Sequence, residues 1–182
     1  MANKTERVVG RTILYLAKAG TANTDALLRA ARSRGDALGV RQIVVASTHG
    51  FTAHRAQAAF AGTGVEVIAV TIAASYAAEG WTMTDAERAR LRRAGVTVLT
   101  GTHALSGGLA DGLDAPGVQG TASKVLYRFC QGMKVAVEVV LMAADAGLLD
   151  MRREIIAVGG TGEGADTAIV VKPAYTRTFQ KL

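Results

Sequence analysis

The sequence predicts an α/β fold: a three-layer α/β/α sandwich with a mostly parallel sheet and an antiparallel last strand. Three observations lead there. Short apolar runs rich in Val and Ile alternate with longer segments of helical period. Aromatic residues make up only 5% of the chain, while alanine, valine and glycine are abundant. That composition suits helices packed closely over a buried sheet. The last two apolar runs are joined by only about eight residues, whereas a parallel crossover takes about a dozen or more. The final strand is therefore expected to run antiparallel, at or near the sheet edge.

The elements follow in order. Residues 1–10 read as a loose polar start, and Thr12–Leu16 (TILYL) as a first strand. Gly20-Thr21-Ala22-Asn23-Thr24 is a loop ending in an N-cap signal, and Asp25 complements the dipole of the helix that follows. Leu27, Leu28, Ala31 and Leu38 share one face of that helix, and Gly39 stops it. A second strand, Gln42–Ser47, leads through a loop to a helix near Thr52–Ala61. Val65–Thr71 is the third strand. Thr84 and Glu87 then form the T-x-x-E pattern of a capping box, opening a helix that runs to Gly95. Val96–Thr100 is the fourth strand, and Gly101–Gly120 a long irregular piece of the kind that is usually functional or mobile. One long helix is expected from Thr121 or Ser123 to Gly147. Two closing strands, Glu154–Val158 and Thr167–Lys172, precede Pro173 and a polar tail.

The bulk numbers bound the function. The chain has 182 residues, 49% hydrophobic and 20% charged, which reads as one globular domain over 1–182 with loose ends at 1–10 and 175–182. Net charge is +6, from 21 basic and 15 acidic residues. This is modest for nucleic-acid binding, and neither RNA-binding aromatic signatures nor zinc-finger spacings occur, so no nucleic-acid partner is expected. Arg88, Arg90, Arg92 and Arg93 read as a solvated helix face; attraction of an anionic small ligand is the next reading. A single cysteine, Cys130, excludes an internal disulfide and a cysteine metal cluster. No H-E-x-x-H spacing is present, and no metal is expected. No leader peptide is visible, and no apolar run reaches the roughly 20 residues of a membrane span. A cytoplasmic, soluble protein without a membrane partner is expected, in a homo-oligomer.

Two glycine-rich loops carry the chemistry. Ser47-Thr48-His49-Gly50-Phe51-Thr52-Ala53 follows one strand, and Gly159-Gly160-Thr161-Gly162-Glu163-Gly164-Ala165-Asp166 follows another. Glycine lets the backbone approach an anion, and N–H groups and hydroxyls donate to its oxygens. The first loop precedes a helix, so an anion there also meets a helix N-terminus; the alternative is a plain strand-to-helix turn capped by Thr52. The second contains Gly160-x-Gly162-x-x-Ala165, the letters of a dinucleotide fingerprint, but a strand rather than a helix follows, which rejects that reading. In open α/β sheets ligands bind outside the carboxyl ends of the strands, so these two loops, Gly20–Thr24 and Gly101–Ser106 are expected to converge on one crevice.

His49 and His103 lie just past strand ends and are the candidates for acid, base or phosphate contact. His54 lies on a helix and reads as surface. Cys130 reads as a small buried hydrophobe on the long helix. Asp166 either orients ligand hydroxyls or caps a turn.

Ile43–Arg55, with its apolar strand and Ser47-Thr48-His49-Gly50-Phe51-Thr52-Ala53 loop, resembles the C-terminal α/β domain of pyruvate kinase. Val67–Thr71 resembles that domain's next strand, and Arg153–Ala174 its closing hairpin, ending in Val-x-Pro. Gly20–Thr24, Gly101–Gly107, Met142–Gly147 and Gly160–Ala168 resemble stand-alone proteins of the same superfamily, over nearly the whole chain. The resemblance implies a phosphate role for Ser47, Thr48, Gly50 and Thr52, since the matching loops of many pyruvate kinases hold a sugar bisphosphate activator. Stand-alone relatives are associated with flavin mononucleotide (FMN), which implies a phosphorylated ligand with a flat ring. Kinase activity does not carry over, because pyruvate kinase chemistry takes place in a (β/α)₈ barrel of roughly 200 residues or more.

The expected function is binding of a phosphate-bearing small molecule, FMN being favoured. Its expected contacts are Gly20, Asn23 and Thr24; Ser47, Thr48, His49, Gly50, Phe51 and Thr52; Gly101, Thr102, His103 and Ser106; and Gly159, Gly160, Thr161, Gly162 and Asp166. The alternatives are an enzyme acting on a phosphorylated or flavin-dependent substrate through His49 or His103, and a regulatory or assembly module.

Overall fold

Five strands form the central sheet of the computed structural model, which describes residues 12–182. They are β1 (Gln42–Ala46), β2 (Glu66–Thr71), β3 (Thr97–Thr100), β4 (Ile155–Gly159) and β5 (Thr167–Val171), in the order β3-β2-β1-β4-β5. The first four are parallel, with Val44 opposite Ile68 on one side and Ala157 on the other. Strand β5 pairs antiparallel with β4 at the edge, Ile155 opposite Val171, as its short connection requires.

Both faces of the sheet are covered, which is why its central strands are continuous apolar runs instead of alternating ones. Ile43, Val45, Val67, Ala69, Ile156 and Val158 point to one core, shared with α1 (Thr24–Leu38), α2 (Phe51–Ala59) and α3 (Asp85–Arg93). Val44, Ile68, Val70, Ile155 and Ala157 point to the other, covered by α6 (Gln131–Asp145). The result is the three-layer sandwich that the alternating pattern predicts. The capping box of α3 forms as its spacing requires: Glu87 N–H donates to Thr84 Oγ1, and Thr84 N–H donates to Glu87 Oε2 at 2.8 Å.

Five expectations are corrected. Thr12–Leu16 is not a strand; Ile13, Leu14 and Tyr15 are exposed, because a strand needs a pairing edge and no strand of the sheet pairs with this run. The irregular Gly101–Gly120 stretch contains α4 (Gly108–Gly112) and the start of α5 (Gly117–Leu126). The expected single long helix is α5 and α6, broken at Tyr127–Cys130. Cys130 adopts an extended backbone there, and its Sγ accepts from Met133 N–H at 3.3 Å, so the thiol is an exposed helix cap and not a buried hydrophobe. Residues 175–182 are not loose: Thr176–Lys181 forms a 3-10 helix tied to Asp145 of α6 by the Thr176 N–H and hydroxyl. The polar start at 1–10 lies outside the described residues. Among those described, no helix is long and apolar enough to cross a membrane.

Helix α6 and β4 meet through glycine. A Cβ on Gly159 would lie 2.5 Å from Gly132 O and 2.8 Å from Ala136 N. This close approach seats the first turn of α6 against the end of β4, beside the second glycine-rich loop.

Candidate functional site

The chain leaves β1 toward β2 on one side, and after β3 it returns across the sheet to β4 on the other side of β1. Strand order thus reverses between β1 and β4, the switch point outside which open α/β sheets form their crevice. The loops that end β1 and β4 are Ser47–Gly50 and Gly160–Asp166. These are the two glycine-rich loops of the sequence, brought side by side by pairing of β1 with β4.

The first loop divides into an inner and an outer set. Ser47 is buried, and its Oγ accepts from Ala53 N–H at 3.2 Å, capping α2. Thr52 is buried too. The Ser47 hydroxyl thus holds the turn together from within. Gly50 takes φ 91°, a left-handed conformation, and packs on Leu91. Thr48 is half-buried, while His49 and Phe51 are exposed. The N–H groups of Phe51 and Thr52 begin α2, where helix geometry gives them no carbonyl four residues back. Arg55 places its guanidinium 5.1 Å from the centre of the Phe51 ring and pairs with Asp25.

His49 gains a partner that its sequence neighbourhood does not show: its Nδ1 lies 3.4 Å from Glu87 Oε2. Glu87 is held below the usual carboxylate range, first by the Thr84 N–H and further by the Thr84 hydroxyl and His49, against a smaller opposing effect of burial. His54 is corrected from surface to half-buried: its Nε2 is sealed from solvent without a hydrogen-bond partner. Burial, then the nearby Arg90, lower its pKa from the ordinary histidine value.

The second loop is joined to Gly20–Thr24. Asp166 Oδ2 accepts from the N–H groups of Gly20 and Thr161, both at 3.0 Å, and its Oδ1 accepts from the Thr167 hydroxyl. Thr24 Oγ1 accepts from Ala165 N–H at 2.9 Å and donates to Thr21 O. Asn23 donates to Lys18 O. Asp166 and Thr24 therefore act as clamps between two chain segments, while Asn23 is tied within its own. Gly159 is buried in β4 and Gly160 is half-buried, leaving Thr161, Gly162 and Glu163 exposed. Strand β5 follows at once, so the loop lacks the helix of a dinucleotide site.

The third loop, Gly101–Ser106, follows β3 at the opposite edge of the sheet and is fastened to α6. Thr102 is exposed, and Gly101 and His103 are half-buried. His103 stacks on Tyr76 with ring centres 5.8 Å apart, and Tyr76 stacks on Trp81 at 5.9 Å. Burial lowers the His103 pKa; Lys134 acts with it, while Glu138 and Asp111 oppose it. Ser106 touches both members of a buried ion pair, Lys134 and Glu138, whose charged atoms are 2.6 Å apart. No hydrogen bond joins His103 to Ser47–Thr52 or to Gly159–Asp166 among the described residues. Lys134, Glu138 and Tyr76 escape a reading of the sequence by motif, and Glu87 is legible there as a capping residue but not as a partner of His49. The available signal for the ion pair is a lysine and a glutamate spaced i, i+4 within an otherwise apolar helix.

No protein-family profile matches this chain. A solved structure similar to it is a pyruvate kinase from Cryptosporidium parvum, with 15% identity and a TM-score of 0.46 over 85% of this chain. The chain spans about a quarter of that protein, 24% of its length.

Proposed function

We propose that this protein binds a phosphorylated small molecule at the crevice between β1 and β4, with FMN the favoured ligand. The observation that carries this is the reversal of strand order between β1 and β4, which puts the Ser47–Gly50 turn and the start of α2 at the crevice. The phosphate would be met by the N–H groups of Phe51 and Thr52 and by Thr48, while the hydroxyl of Ser47 supports the turn from within. Phe51, exposed on the same turn, offers an apolar face for a flat ring. Thr161, Gly162 and Glu163 are the exposed part of the facing loop. The likeness to the C-terminal domain of pyruvate kinase belongs to this proposal; pyruvate kinase chemistry does not.

The visible spectrum and native mass of freshly purified protein, followed by titration with FMN and with riboflavin, test it. The two titrants differ by the phosphate. Binding of FMN at least tenfold tighter than riboflavin, weakened tenfold or more in Thr48→Glu, is the expected result. A colourless protein that ignores added FMN and sugar phosphates alike would overturn it.

A second reading, an enzyme acting on a phosphorylated or flavin-dependent substrate, is favoured by the approach of Glu87 to His49. A carboxylate on Nδ1 orients an imidazole and leaves Nε2 to exchange a proton. Turnover lost in His49→Asn with FMN still bound would support it.

A further inference from the structure

We infer that this chain pairs with a second copy of itself by strand exchange: the Thr12–Leu16 run of each protomer adds to the open edge of the other protomer's β5. This interface does not depend on the FMN reading.

Thr12-Ile13-Leu14-Tyr15-Leu16 has the composition of a strand, with Thr, Ile and Tyr in a run that is apolar after its first residue. Ile13, Leu14 and Tyr15 are nevertheless 71%, 68% and 88% exposed. Among the described residues no backbone hydrogen bond joins the run to another segment. Three or more consecutive apolar residues left in water are a fault unless they serve a purpose.

The sheet offers a matching edge. Strand β5 pairs only with β4, and no backbone hydrogen bond joins Thr167–Val171 to anything else among the described residues. Alternate N–H and C=O groups of such a strand point outward and are a template for another chain. Natural edges are commonly blunted by charge, proline or a bulge. Thr167-Ala168-Ile169-Val170-Val171 has no charge and no proline, and its register with β4 is unbroken. Ala168 and Val170 pack on one core, Ile169 and Val171 on the other. A strand that extends this sheet must therefore be apolar on both faces. Ile13 and Tyr15 supply one face, and Leu14 and Leu16 the other. The two segments also match in length, five residues each.

The run leaves the fold beside that edge. Gly20 N–H donates to Asp166 Oδ2, and Asp166 immediately precedes β5. Leu16 lies four residues before Gly20, within about 14 Å of that anchor. The intervening turn is held: Asn23 donates to Lys18 O, and Gly20 takes φ 104°. With the turn so held, the run stays off its own β5. Every copy thus carries an unpaired strand next to an unpaired edge, so a second copy supplies the complement of both. A twofold axis between two facing β5 edges satisfies both runs at once, and the exchange closes at two chains. Each sheet gains a strand by β-augmentation, and the exposed side chains leave water.

Sedimentation velocity of the full chain, with isotope-filtered NMR on a mixture of labelled and unlabelled chain, tests this. A dimer at micromolar concentration is expected, with intermolecular NOEs between Thr12–Leu16 of one protomer and Thr167–Val171 of the other. The double variant Leu14→Pro, Tyr15→Pro removes two consecutive N–H groups, one of which must face β5. It should weaken dimerisation at least tenfold and leave the amide resonances of the sheet core in place. A monomer up to millimolar concentration, an equally tight dimer in the double variant, or NOEs from the run to β5 of the same chain would each overturn the proposal. The NOEs are read on the unaltered chain and need no variant to fold.

Discussion

Gly159 was legible in the sequence as glycine in a phosphate-type loop, yet its own position is the last residue of β4, pressed against the backbone of α6. An alanine methyl would collide with Gly132 O and Ala136 N, backbone atoms that cannot swing aside. Gly159→Ala should therefore destabilise the protein by about 1–3 kcal/mol or more, the usual cost of overpacking. A fall in the urea midpoint with an unchanged m-value checks this, and a midpoint like that of the unaltered chain would show that α6 lifts off without strain. Ser47 teaches the same lesson with opposite chemistry. Its place in a small-hydroxyl loop suggests a ligand contact, while its burial and its bond to Ala53 N–H make it a helix cap. One residue type serves both purposes, and only its direction tells them apart.

Helix α6 is the element where energetics and site meet. A buried ion pair is weak evidence for stability, because desolvation offsets its Coulomb attraction, but breaking one leaves an unpaired charge in the interior. Lys134→Met should cost about 3–5 kcal/mol, the magnitude seen when one partner of a buried pair is removed. The double variant Lys134→Met, Glu138→Leu should recover much of that loss, although Leu105 N–H then lacks its acceptor. Chemical denaturation of the two singles and the double reads the coupling directly; additive losses would mean that the pair does not interact as its 2.6 Å separation requires. The boundaries of this helix were not legible. Apolar period runs through Tyr127–Cys130 much as it does through α5 and α6, so nothing in it marks the break. The capping box of α3 was legible because its signal is local, two side chains three residues apart answering each other's N–H groups.

At the scale of the whole molecule, two histidines tie stability to pH. Burial lowers the pKa of both His54 and His103 from the ordinary value of 6.5. The unfolded chain then binds protons that the folded chain refuses. Their contribution is fully present above about pH 6.5 and is lost as pH falls below that toward the folded values. The melting temperature should accordingly drop between pH 7.5 and 5.5, and the drop should shrink in a His54→Gln, His103→Gln double variant. The same slope in both proteins would assign the acid sensitivity to other groups.

The amino-acid sequence by itself determined the layers and the sheet. Val44, Ile68 and Ala157 sit in runs apolar on both faces, the eight-residue closing connection admits only an antiparallel partner, and Gly39 and Thr84 mark helix ends through local backbone chemistry. Tertiary structure alone decided that Thr12–Leu16 goes unpaired, since a strand exists only where an edge receives it. It alone joined Gly20 to Asp166, His49 to Glu87, and Ser106 to Lys134 and Glu138. These contacts link residues 28 to 146 positions apart. Periodicity and capping act within a few residues of one another, whereas a side chain's partner depends on which loops the strand order brings together.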